Sequence, residues 1–151
     1  MRHPWKVWIY LLTKLPAAFF SGVRLQYISG EHCIVRVPFK WFSQNPFRST
    51  YFACLAMGAE MSTGLLALMY IYNIDPAISM LVTKVEGEFY KKAVGLTTFV
   101  CNEGQLVSEA VANCILTQKP SLLRIASNGT NPKGELIATF YVTWSFRQRP
   151  A

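Results

Sequence analysis

An α+β domain, built as a curled antiparallel sheet around one long apolar helix, is what this sequence predicts, and three features of the chain carry the prediction. Residues 51–72 form an apolar run with few interruptions. Two short runs rich in β-branched and aromatic residues precede it, at 23–28 and 33–39, and several more follow it. The 151 residues are 52% apolar and 14% aromatic, which suffices for one domain burying roughly 68–70% of its unfolded surface. A helix apolar on every side belongs inside such a core, with a sheet around it.

The elements follow in order. Trp5, Trp8, Ile9 and Leu12 recur at helical spacing, so residues 1–15 read as an amphipathic helix packed on the domain and ended by Pro16. The basic start and short apolar core also fit a signal peptide. Lys14 follows that core closely and no small-x-small cleavage site appears, so a cytoplasmic protein is expected. Ser29-Gly30-Glu31 joins the first two strands as a hairpin. A loop over 41–48 carries Asn45-Pro46, and Ser49 or Thr50 is placed to cap the long helix, which fades at Asn73 and Asp75-Pro76.

Strands are then expected at 78–92 and 96–101, a shorter extra helix at 105–116, and strands at 121–127 and 136–147. Asn128-Gly129 and Asn131-Pro132-Lys133-Gly134 read as turns between the last two. Asn128-Gly129-Thr130 also matches a glycosylation acceptor, but Asn-Gly is a turn signal in its own right. No repeat or linker divides the chain, so 1–151 is one domain.

Composition narrows the function. A net charge of +7 and a pI near 9.4 favour anionic partners. Only 15% of residues are charged and mean hydropathy is +0.23, which points to an oligomer that hides apolar surface. Cys33, Cys54, Cys101 and Cys114 have no C-x-x-C spacing, and only His3 and His32 are available beside them. No metal site or cofactor is expected. The chain has no Gly-x-Ser-x-Gly elbow, P-loop or Gly-x-Gly-x-x-Gly.

Glu60 stands alone in the most apolar stretch. A buried unpaired charge is costly, so such a group is paired, protonated or used in chemistry. About 20 apolar residues also suffice to cross a bilayer, and a membrane span is the competing reading of 51–72. Glu60, two glycines, Ser62, Thr63 and the strand-rich remainder of the chain argue for the core helix instead.

The segment Asn45-Pro-Phe-Arg-Ser-Thr-Tyr-Phe-Ala-Cys-Leu-Ala-Met-Gly-Ala-Glu60 resembles the signature of hotdog-fold acyl-CoA thioesterases. In that family an asparagine, a Gly-Thr-x-His-Gly-Gly turn into the helix and a helical Asp or Glu follow at this spacing. Glu88-Phe-Tyr-Lys-Lys-Ala93 is similar to the family's aromatic-x-Lys-Pro-Ala strand segment. Residues 134–147 are similar to the last strand of an uncharacterised, thioesterase-like branch. The resemblance covers most of the chain from Gly22 onward. Two departures stand out: Tyr51-Phe52-Ala53 replaces His-Gly-Gly, and Arg48-Ser49 replaces Gly-Thr.

The resemblance implies hydrolysis of thioesters of coenzyme A or acyl-carrier protein. The amide of Phe52, with that of Ala53, would polarise the carbonyl, Asn45 would sit in the site, and Glu60 would act as base or nucleophile. Arg48, Tyr51, Lys91 and Lys92 are the candidate substrate contacts, and Arg36 and Lys40 are further cations for phosphates. Glu60 lies eight residues along the helix from Phe52, about 12 Å at 1.5 Å per residue. One thioester carbon cannot meet both in a single subunit, so a homodimer or tetramer with a shared site is expected. The alternative is a non-catalytic hotdog module that binds an acyl or aromatic ligand or a protein partner, with Glu60 structural.

Overall fold

The computed structural model describes residues 4–149, with side chains from Ile9 onward. Helices α1 (Pro4–Lys14) and α2 (Pro16–Phe20) lead into strands β1 (Arg24–Ile28) and β2 (Cys33–Val37). A short 3-10 turn, Trp41–Ser43, precedes the long helix α3 (Phe52–Ile71). Then come β3 (Ile78–Phe89), β4 (Thr97–Cys101), α4 (Gly104–Thr117), β5 (Ser121–Thr130) and β6 (Leu136–Gln148). The six strands form one antiparallel sheet in the order β1-β2-β4-β5-β6-β3. β3 therefore pairs with β6 on one side and presents an open edge on the other.

The sheet curls because α3 lies against strands from both of its ends, touching β1, β2, β3, β4, β5 and β6 as well as α2 and α4. Cys33, Val35 and Val37 alternate inward along β2, and Thr97, Phe99 and Cys101 do the same along β4. α3 is the one described helix long and apolar enough to span a bilayer. Here it is the core of the fold, enclosed by sheet and helices, and the membrane-span reading falls.

Three hydrogen bonds anchor α3. Ser62 Oγ and Ser127 Oγ of β5 lie 2.7 Å apart, and the Trp144 indole N–H of β6 donates to Thr63 Oγ1 at 3.1 Å. At the far end the Tyr70 hydroxyl donates to the Gly30 carbonyl in the β1–β2 turn, at 2.6 Å. Where the helix starts, Tyr51 N donates to Ser43 O and Thr50 N to Ala93 O.

Several elements differ from expectation. Pro16 does not merely end α1 but opens α2, at a position where its missing N–H is no loss. Among the described side chains of α1 the buried one is Leu11, 1% exposed, whereas Ile9 and Leu12 are exposed. The side chains of Trp5 and Trp8 fall outside the described set. α3 is capped by neither Ser49 nor Thr50: its N-cap is Tyr51, without a side-chain cap bond. Thr50 instead binds Ala93 O through both its amide and its hydroxyl.

Asn128-Gly129 is not a turn. Both residues continue β5, and the chain reverses at 131–134, where Asn131 Oδ1 accepts from the amides of Lys133 and Glu135. Gly129 is required there by packing. A Cβ on it would lie 2.6 Å from the Phe99 ring, which is completely buried. Gly129→Ala is accordingly expected to lower stability by about 1–3 kcal/mol, read as a lower urea midpoint. Gly95→Ala, with nothing within 4 Å of the added methyl, is the matched control and should leave the midpoint nearly unchanged. Equal midpoints for both would contradict the packing account.

Candidate active site

The residues before α3 form a rigid entrance. Asn45 Oδ1 accepts three bonds, from Phe47 N at 3.0 Å, Ser49 N at 3.2 Å and Ser49 Oγ at 3.2 Å. An asparagine is suited to this because its side chain mimics a turn carbonyl. Asn45 thus shapes the loop. Arg48 takes a left-handed backbone conformation, φ 56°, and its exposed side chain points out of this turn.

The helix start opens into a cavity of about 450 Å³. Asn45, Ser49, Tyr51, Phe52 and Leu55 line it from the α3 side, and Phe89, Tyr90, Lys91, Lys92 and Ala93 from the end of β3. The first N–H groups of a helix have no partner within it. Among the described residues, no acceptor is recorded for the Phe52 and Ala53 amides. The positive end of the α3 dipole and two lysines therefore face the same space, which favours an anion or a developing oxyanion. Lys91 is partly committed, since its ammonium lies 2.6 Å from Glu135 Oε1.

Glu60 lies elsewhere. It lines a second, mainly apolar cavity of about 250 Å³, with Tyr10 of α1, Leu15, Leu65 and Leu68 of α3, Met80 of β3 and Trp144 of β6. Its carboxylate has no hydrogen bond among the described residues: Ser62 is bonded to Ala59 O and Ser127, and Thr63 reaches only the Glu60 main-chain oxygen. Burial pushes the Glu60 carboxyl above its ordinary value of 4.5, with desolvation as the cause. Within one chain the two halves of the expected machinery are thus in separate cavities.

Solved structures of the same architecture align with nearly the whole chain. A Pseudomonas aeruginosa protein of unknown function, described as a probable thioesterase, matches with a TM-score of 0.77 over 97% of each chain at 16% identity. A Chlorobaculum tepidum protein of unknown function matches at 0.78, over 97% of this chain and 94% of the other, at 14% identity. A Haemophilus influenzae thioesterase matches at 0.68, over 93% and 88%, at 10% identity.

The chain has the hotdog fold.

No protein-family model matches the sequence, and no curated protein does. Within the hotdog fold, Asn45, Tyr51, Phe52, Lys91 and Lys92 are brought together at the helix start, while Arg48 stays on its outer surface. Sequence reasoning missed the walls of the Glu60 cavity. Trp144 and Met80 lie far from Glu60 in the chain, and the amphipathic pattern read at the N-terminus named Trp5, Trp8, Ile9 and Leu12, not the lining residues Tyr10 and Leu15.

The raised Glu60 pKa makes a stability prediction. The folded chain holds this proton more tightly than the unfolded chain, so stability falls as pH rises from the ordinary carboxylate value through the raised one. Glu60→Gln removes the ionisation. Its thermal midpoint should exceed that of wild type at neutral pH, and the gap should close as pH drops below 4.5, the value for an unperturbed carboxyl. A pH-independent gap would show that desolvation is not the cause.

Proposed function

We propose that the protein hydrolyses thioesters of coenzyme A or of acyl-carrier protein, at a site completed across a homodimer. The observation that carries this reading is the division of labour along α3: uncapped amides and cations at its start, an unpaired carboxylate in an apolar cavity further along. The names borne by the Pseudomonas and Haemophilus proteins support it.

The chemistry is as follows. The thioester carbonyl oxygen sits at the Phe52 and Ala53 amides, whose fixed dipoles stabilise the charge that develops on it. Glu60 of the other subunit takes a proton from water as the oxygen attacks the carbonyl carbon. Collapse of the tetrahedral intermediate breaks the C–S bond, and the thiolate leaves with the proton that Glu60 returns. Direct attack by Glu60, giving an anhydride that water then opens, uses the same placement.

The dimer is supported by β3. Its 12 residues form a long open edge, with Leu81 67%, Val85 48% and Phe89 52% exposed. An open edge of that length, only partly guarded by Lys84, Glu86, Glu88 and the irregularity at 82–84, is a template for another strand. Pairing with β3 of a second copy covers it. Four unpaired, buried cysteines support a cytoplasmic setting. Burial raises the Cys33 thiol to about 12 and the Cys101 thiol to about 11, so neither is a competing nucleophile.

Acyl-CoAs of graded chain length, assayed by free-thiol release, test the reading. Wild type should turn over part of the panel, with kcat/KM rising with pH through a value above the usual carboxylate range. Glu60→Gln should fold and lose about 10²–10⁴-fold in kcat. An undiminished Gln variant would remove the Glu60 mechanism, and an inactive wild type would leave the non-catalytic binding module as the better account. A charge placed on the β3 edge, Val85→Lys, should yield monomer by light scattering and abolish turnover.

A further inference from the structure

Several aromatic residues left outside the core stand together. Phe20 ends α2, and Trp41 and Phe42 belong to the 3-10 turn before α3. The Phe42 ring lies 6.4 Å, between centroids, from both the Phe20 and the Trp41 rings. Trp41 is 82% exposed, Phe20 and Phe42 59% each, and Phe47 in the same loop 74%. Large rings gain more than most side chains from leaving water, so four of them exposed on neighbouring segments mark a surface made to be covered.

The charge of the chain is concentrated on the same part of the sequence. Residues 1–59 hold seven of the fifteen Lys and Arg but one of the eight acids, Glu31. The Lys40 ammonium reaches back to Gly22, just after α2, where an added Cβ would lie 3.6 Å from it. The Arg24 guanidinium sits 4.7 Å from the centroid of Phe19, whose ring is 5.5 Å from that of Phe20. Neither Lys40 nor Arg48 has an ion-pair partner among the described residues. Glu31 is remote: it follows Gly30, which Tyr70 grips at the far end of α3, whereas Ser43 of the 3-10 turn accepts from Tyr51 at the start of that helix.

Rings flanked by cations, with no acid among them, fit the surface of an anionic bilayer. There aromatic side chains seat at headgroup level and cations meet lipid phosphates. The loop is prepared for such a medium, because its main chain is bonded internally: Ser43 N to Lys40 O, the Ser43 hydroxyl to Pro38 O, and Arg48 N to Asn45 O. We propose that the protein docks peripherally on anionic phospholipid membranes through Phe20, Trp41, Phe42 and Phe47, with Lys40 and Arg48 on the headgroups. A second copy is a poor occupant, since a two-fold contact sets the patch against itself and its cations against like charge. A folded partner would need a pocket for each ring; a fluid surface closes around them. Phe47 also lines the helix-start cavity, so docking brings the mouth of that cavity against the lipid. The docking surface does not depend on the thioesterase reading.

Co-sedimentation with vesicles tests it without any turnover. Wild type should bind vesicles containing phosphatidylglycerol far better than pure phosphatidylcholine. Raising salt from about 0.1 M to about 1 M, which shortens the screening length from about 10 Å to about 3 Å, should release most of it. Trp41→Ser combined with Phe42→Ser should keep the wild-type thermal midpoint and weaken binding about tenfold or more. Lys40→Glu should weaken it about fivefold or more. Leu122→Ser removes a side chain that is 67% exposed on the face of β5 opposite Ser127, which bonds α3, and should bind as wild type.

The proposal is overturned if wild type leaves anionic vesicles unbound, if it binds pure phosphatidylcholine equally well, or if the double variant binds undiminished. It is equally overturned if the double variant, without lipid, falls to a smaller oligomer by light scattering, because the patch then belongs to a contact between copies.

Discussion

α3 is apolar all round, so hydrophobic burial holds it in the core without choosing its rotation. The rotation is set by two buried hydrogen bonds on adjacent residues, Ser62 to Ser127 and Trp144 to Thr63. Turning the helix by one residue would take the partners from two buried sheet groups, the Ser127 hydroxyl and the Trp144 indole N–H, at about 1–3 kcal/mol each. Tyr70, bonded to the β1–β2 turn, fixes the far end. With that flank committed to the sheet, Glu60 is left facing a cavity that, among the described residues, Tyr10, Leu15, Leu65, Leu68, Met80 and Trp144 line with mainly apolar surface. An acid without a hydrogen bond among the described residues is thereby held in a mainly apolar wall, where burial raises its pKa.

At the other end of α3 one residue ties the helix start to the segment after β3. Thr50 bonds Ala93 through its amide and its hydroxyl, joining the loop before the helix to the strand connection after β3. The helix start, Lys91 and Lys92 are brought to one cavity by this link rather than by any attraction among themselves. Phe99, packed under Gly58 and Gly129, holds β4 and β5 close to the helix and keeps that corner of the sheet in register.

Much of the architecture was legible because it rests on period and punctuation. Six strands, a long apolar helix and a shorter second helix all leave local patterns of alternation or spacing, and the lone carboxylate of Glu60 was visible against them. What escaped depended on partners distant in the chain. Asn128-Gly129 carries a strong turn signal, yet Phe99 makes Gly129 a packing residue within a strand. Among the described side chains of α1, Leu11 is buried and Ile9 and Leu12 are not, because the face that docks is decided by elements such as α2 that pack on it. Ser49 and Thr50 have the chemistry of helix caps and are engaged by Asn45 and Ala93 instead. For the site, the helix-start residues were readable as one contiguous segment. The Glu60 cavity was not, since it is assembled from α1, β3 and β6.

The entrance to α3 is secured almost entirely through main-chain atoms and small hydroxyls: Tyr51 N to Ser43 O, Arg48 N to Asn45 O, Asn45 N to Ser49 O and Thr50 N to Ala93 O. The large side chains at 48, 51 and 52 take no part in that scaffold and are exposed. Tyr51 and Phe52 can be exchanged without displacing the amides beneath them, whereas Arg48 holds a left-handed backbone, φ 56°, that few side chains accept. This segment is therefore evolvable in a specific sense: selection, natural or in the laboratory, can recut the rim of the cavity while the Phe52 and Ala53 amides stay where they are. A library confined to positions 51 and 52 would vary the cavity mouth at little risk to folding.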